Sequence, residues 1–165
     1  MRLDARSGEL APAARSTGTT TAGIFMTEDN AVTVDTVTVS VTDFSATATT
    51  STVTDAAQSD LVAGTNGNIV LVAGGTVTLN DGTANTSGAG VAGTAVSAHG
   101  TGNILIDVNS GNLVVNSDIV SGTGHITLKA AADMLMGSGS ATLVDVSTAS
   151  AGTVSMDAEG GALTM

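Results

Sequence analysis

Few side chains in this chain are equipped for chemistry. Two imidazoles, His99 and His125, and scattered carboxylates at Asp107, Asp118, Asp133, Asp145 and Asp157 are the candidates, and cysteine is absent. A histidine acting as metal ligand or general base needs carboxylates that converge on it. His125 follows Gly124 in the slot that Asn68 and Asn103 hold after Gly67 and Gly102, so it reads as a turn residue. His99 sits in a Gly/Ala-rich stretch and reads as solvated. Two paired acids would suit glycoside cleavage, but acids spaced this irregularly read as solvated charges. Calcium prefers hard oxygen ligands, which an acidic chain supplies. The segment Asp107-Val108-Asn109-Ser110-Gly111 matches only the start of an EF-hand loop and lacks its distal Glu, and no Gly/Asp nonapeptide repeat occurs. Weak calcium binding is the most this supports. No catalytic, cofactor-binding or metal residue is assigned.

The elements that would have to position such groups follow from composition. The 165 residues include 21 Gly, 1 Pro and 2 Phe, with no Trp or Tyr, while 42% are hydrophobic, mostly Val, Ala, Leu, Ile and Met. Abundant Thr and Val favour strands and the glycines favour turns, which indicates an all-β chain with an aliphatic core. A net charge of -11 repels a phosphate backbone and excludes nucleic acid as a partner. No apolar run reaches the length of a transmembrane helix. Arg2, Arg6 and Arg15 are followed by no apolar run of signal-peptide type, so residues 1–22 are expected to be a disordered leader and no signal peptide is read in this chain.

Internal repetition is the strongest signal. Aligned on glycine, four segments match: Gly67-Asn68-Ile69-Val70-Leu71, Gly102-Asn103-Ile104-Leu105-Ile106, Gly124-His125-Ile126-Thr127-Leu128 and Gly152-Thr153-Val154-Ser155-Met156. Each is followed by a second short strand, Val77-Thr78-Leu79, Leu113-Val114-Val115, Met134-Leu135-Met136 and Leu163-Thr164-Met165, across a turn-rich corner. Alternation places Ile69, Ile104, Ile126 and Val154 in one inward column, and Leu71, Ile106, Leu128 and Met156 in another. Val70, Leu105, Thr127 and Ser155 then face outward. The next outward column holds Asp107, Lys129 and Asp157, which puts the single lysine between two carboxylates. Matched columns across units of unequal length predict a parallel β-helix, or β-solenoid, with variable corner loops. Asn80 to His99 is expected to protrude as one such loop. Residues 23–66 read as degenerate opening coils, with Gly23-Ile24-Phe25-Met26 and Val32-Thr33-Val34 as a weaker copy. Val37, Val39 and Val41 suggest a further strand after a phase break at Asp35-Thr36. Residues 45–60 fit a loop, a degenerate coil or a hairpin. Residues 67–165 read as the clear repeats, expected to be truncated at Met165 with an uncapped last coil.

The run from Gly67 to Leu79, echoed through Met165, resembles the repetitive segments of very long bacterial surface proteins of the filamentous-haemagglutinin type, over residues 23–165. That resemblance implies a right-handed parallel β-helix serving as a structural segment of an extracellular or cell-surface adhesin or stalk, part of a longer protein. Its partners would be a host or neighbouring-cell surface or a glycan, with end-to-end self-association through the open last coil. Two alternatives remain. A carbohydrate-active β-helix enzyme would need acid clusters with basic and aromatic sugar platforms, whereas residues 23–165 contain Lys129 and no Arg, Trp or Tyr. A β-sandwich would pair sequential strands antiparallel.

Overall fold

The computed structural model describes residues 2–5, 14–16, 22–54, 59–82, 93–137 and 143–165, and every regular element among them is a β-strand. The series opens with β1 (Arg2–Ala5), β2 (Ala14–Ser16), β3 (Ile24–Glu28), β4 (Val32–Val34), β5 (Ser40–Phe44), β6 (Thr50–Thr54) and β7 (Leu61–Ala63). Three circuits of three strands follow. They are β8 (Ile69–Ala73), β9 (Val77–Leu79) and β10 (Thr94–Ala98), then β11 (Ile104–Val108), β12 (Leu113–Val115) and β13 (Asp118–Ser121), then β14 (Ile126–Ala130), β15 (Met134–Met136) and β16 (Val146–Thr148). Strands β17 (Val154–Ala158) and β18 (Leu163–Thr164) end it.

Successive strands of a circuit enter different sheets, and equivalent strands of successive circuits pair in parallel. The first sheet runs β1-β3-β8-β11-β14-β17, the second β4-β9-β12-β15-β18 and the third β2-β7-β10-β13-β16. Register follows the columns read from the sequence: Ile24, Ile69, Ile104, Ile126 and Val154 lie opposite one another, as do Met26, Leu71, Ile106, Leu128 and Met156. In the second sheet Val32, Val77, Leu113, Met134 and Leu163 align in the same way. Buried members of all three sheets belong to one continuous aliphatic core. Each fully buried Ile or Leu contributes about 1.5–3 kcal/mol, which is how a core with no aromatic residue in it can hold.

The corners explain the choice of Asn and Gly. The N–H groups that start the first-sheet strands, at Ile24, Ile69, Ile104 and Ile126, donate to carbonyls of Asn68, Asn103, His125 and Thr153 in the following circuit, at 2.8–2.9 Å. Asn68 Oδ1 then accepts the Asn103 backbone N–H at 2.9 Å, and Asn103 Oδ1 accepts that of His125 at 2.8 Å. Stacked amides thus satisfy corner donors that the strand ladder leaves over. The preceding residues must be glycine because circuits touch there: a Cβ on Gly124 would lie 2.0 Å from the Gly102 carbonyl oxygen.

Several expectations need correction. Each full circuit has a third strand, which the two-strand repeat did not include. The Asn80–His99 stretch contains β10, whose Val96 and Ala98 are buried, so only residues 83–92 of it lie outside the described part. On the inner face, third-sheet strands pair a single large aliphatic residue, Leu61, Val96, Ile119 or Val146, with a small Ala, Ser or Thr, which leaves little alternation to read. The further strand expected after Asp35-Thr36 is present as β5, yet Val39 and Val41 do not continue a coil. They are 56% and 55% exposed, and Val41 belongs to the antiparallel β5–β6 hairpin, where it faces Val53. That hairpin resolves residues 45–54, while 55–58 lie outside the described part. It is also the only antiparallel pair among the described strands, which a β-sandwich of sequential antiparallel neighbours would not give. Strands β1 and β2 fall within the stretch expected to be a leader, extending the first and third sheets by one strand each.

Candidate functional site

The outward positions of the first sheet form a distinct surface. Phe25, Val70, Leu105, Thr127 and Ser155 follow one another in register across five circuits. Val70, Leu105 and Thr127 are half-buried, and Phe25 stands 46% exposed at one end. Its ring occupies the space beside Gly23, where an added Cβ would come within 2.6 Å of Cε2. Together with the corner column Asn68, Asn103 and His125, Phe25, Val70, Leu105 and Thr127 line a shallow groove of about 430 Å³. The strand alternation supplies the apolar floor and the corner amides supply the polar rim. Along that rim Asn103 Nδ2 donates to Asn68 Oδ1 at 3.2 Å, and His125 Nδ1 shares a hydrogen bond with Thr153 Oγ1 at 2.8 Å. His125 is therefore a corner residue, as its slot suggested, and also part of the groove. His99 is exposed; its N–H donates to the Ala63 carbonyl, and its own carbonyl accepts from Asn66 and Gly102.

The carboxylates divide into three settings. Asp107 faces Lys129 across β11 and β14, with Lys129 Nζ at 3.7 Å, as the column predicted. The second partner is Glu159 at 3.1 Å rather than Asp157, because Glu159 sits just past β17 at the corner, within reach of the long lysine stem. Both acids, with Asp157 behind them, raise the lysine above its ordinary value: the hydrogen bond to Glu159 contributes most, then the Asp107 charge. In the second setting Asp133 and Asp118 act structurally. Asp133 Oδ1 accepts the Ala162 N–H at 2.9 Å, and Asp118 Oδ1 accepts that of Asp145 at 2.8 Å.

The third setting is a corner of like charges that the sequence did not reveal, since its members are far apart in the chain. Asp81 is raised by burial first, then by the charges of Asp60, Asp118 and Asp35. Burial also raises Asp118, opposed by the Asp145 N–H and assisted by the Asp145 charge. A carboxyl raised by burial and like-charged neighbours is the raw material of acid–base chemistry. Here the neighbours are already committed, Asp60 to the Gly82 N–H at 3.2 Å and the Ser59 hydroxyl at 2.7 Å, and Asp118 to Asp145. Among the described residues no group of three His, Asp or Glu is placed to hold a metal ion. One further acid escaped the pattern: Glu28 occupies an inward column otherwise filled by Ala and Val, 1% exposed, with Oε1 accepting the Asn30 N–H at 3.0 Å.

Comparison of the chain with models of protein families, with curated proteins and with solved structures finds no match. Among the described residues no helix is long and apolar enough to cross a membrane.

Proposed function

We propose that the chain is a structural repeat segment of a bacterial extracellular or cell-surface adhesin or stalk, whose three sheets close into a right-handed β-solenoid. The observation that carries this is the repeated order of sheets in successive circuits, each laying its inward aliphatic residues on those of the one before. Repeats that contact only their neighbours make length cheap to add and leave corners free to vary, which suits a spacer. Parallel crossovers are right-handed in the great majority of proteins, which supports the hand. The exposed β5–β6 hairpin and the groove on the first sheet would make the contacts with a host surface, a neighbouring cell or a glycan. Half-exposed Val154 and Leu163 support end-to-end stacking of a second copy on this turn, which the net charge of -11 opposes. An antibody against residues 1–165 should label intact source cells. Labelling that requires permeabilisation would remove the cell-surface reading.

A further inference from the structure

Beyond a spacer role, we propose that the outer face of the first sheet binds a neutral oligosaccharide in the groove lined by Phe25, Val70, Leu105, Asn68, Asn103 and His125. Size argues for a small ligand. The groove, at about 430 Å³, falls among small-molecule sites. A second copy of the chain would also bring a further charge of -11 against this one.

The floor and rim together match a sugar. A pyranose has one face of C–H groups and an edge of hydroxyls. The exposed Phe25 ring continues into Val70 and Leu105 at the strand spacing of about 4.8 Å, an apolar shelf for successive C–H faces. Beside the shelf, the corner amides keep capacity to spare. Asn103 Nδ2 spends one of its two N–H groups on Asn68 Oδ1, and Asn68 Nδ2 has no protein acceptor among the described residues. His125 holds Thr153 through Nδ1 and retains Nε2. Donors and acceptors in a row alongside an apolar strip can take the hydroxyl edge of a linear glycan running along the stack of circuits.

Charge decides the class of sugar. No ionised side chain lines the groove, so a cationic ligand finds no carboxylate there. Uronates and sulfated glycans meet the field of a strongly acidic chain, and no Lys or Arg lines the groove itself, the nearest in register being Arg2 opposite Phe25 at its end. A neutral glycan loses nothing on either count.

The test is a titration of the isotopically labelled 165-residue chain with cellohexaose, maltohexaose, mannohexaose and chitohexaose, with hexagalacturonate as the anionic control, following backbone amides by NMR. At least one neutral hexaose should give saturable shifts at Phe25, Asn68, Leu105 and His125. Phe25→Ala and Leu105→Asn should each weaken that binding about tenfold, while Val114→Ser on the second sheet leaves it unchanged. Absence of saturable shifts at these amides with every neutral hexaose up to roughly 10 mM would overturn the proposal. Affinity unmoved by Phe25→Ala in a chain that melts normally, or tighter binding of hexagalacturonate, would do the same. The outcome is separable from the stalk: a groove without sugar affinity leaves surface labelling intact, and a sugar-binding chain labelled only after permeabilisation removes the stalk alone.

Discussion

Ile104 and Val154 stand in one column, and Leu113 and Leu163 in another, yet their surroundings differ sharply. Ile104 and Leu113 are 1% and 0% exposed, whereas Val154 and Leu163 are 39% and 45% exposed. Aliphatic character, sheet and register are alike. What differs is the number of neighbouring turns: β11 is flanked by β8 and β14, while β17 has β14 on one side only. Alternation determines which face a side chain takes, and stacking determines how deep it goes. In such a one-dimensional array stability is close to a sum of terms for each turn and for each contact between turns, so a middle turn is held twice and the last once.

A charge placed in the core gives the largest contrast. Ile106→Asp should cost about 4 kcal/mol in a denaturant titration, because the carboxylate would be enclosed by Leu71 and Leu128 with no partner. Met156→Asp, in the same column on the last turn, should cost about 1 kcal/mol. Equal losses would break the comparison and the inside–outside assignment with it. Truncation sharpens it: Leu113→Ala should cost about 3 kcal/mol through the cavity it leaves, and Leu163→Ala under about 1 kcal/mol. Leu105→Thr, on the outer face, should stay within about 1 kcal/mol.

These contrasts also mark how far the sequence can be read. The Ile and Leu columns of the first two sheets were legible because large aliphatic residues recur at a fixed offset from a glycine, as in Gly102 to Ile106. The third sheet was not. Leu61-Val62-Ala63 and Thr94 to Ala98 pack small residues on the inner face, and Ala95 and Val96 are adjacent yet both buried, which defeats period two. The groove was half legible: Val70 and Leu105 were read as outward and His125 as a corner residue. The weaker copy at Gly23-Ile24-Phe25-Met26 puts Phe25 in their line, as the pairing of β3 with β8 shows, but the closing of that line and the corner amides into a groove depends on circuits far apart in the chain. The Asp35, Asp60, Asp81 and Asp118 corner was hidden for the same reason.

Hydrogen exchange offers a subtler measure than folding free energy. Amides of β11 and β14 should exchange only through global opening, whereas those of β18 should exchange through fraying of the last turn, faster by a factor of ten or more, about 1.4 kcal/mol. Uniform protection across β11 and β18 would show that the array unfolds as one unit, and that the exposure of Leu163 carries no energetic weight.

The like-charge corner should respond to pH in the opposite sense from a salt bridge. Asp81 is raised in the fold, so its ionised form is disfavoured there. The cost is absent below the unfolded value near 3.8 and fully present once pH has passed the raised folded value. Asp81→Asn should therefore stabilise the chain at pH 7, by no more than about 0.5 kcal/mol because the group is exposed, and should do nothing at about pH 3. Destabilisation at pH 7 would mean that the carboxylate is held by a favourable contact outweighing the three neighbouring charges.

The smallest effect concerns an ion pair that ties the last turn to the stack. Lys129 on β14 reaches Glu159, just past β17, as well as Asp107 behind it on β11, so it bridges three successive turns. Its value is raised, so the stabilisation is fully present below the ordinary 10.5 and is lost as pH climbs through the raised value. At neutral pH the tie is intact, but the pair is exposed and screened by salt. Glu159→Gln should then speed exchange of the β17 and β18 amides by a factor of about two at low salt, with no change at β11, and the difference should shrink at 1 M salt. Should the substitution instead quicken exchange in β11 and β17 alike, the last turn would be coupled to the middle ones as strongly as they are to each other, and the half-buried columns at Val154 and Leu163 would be no weaker than the fully buried ones they continue.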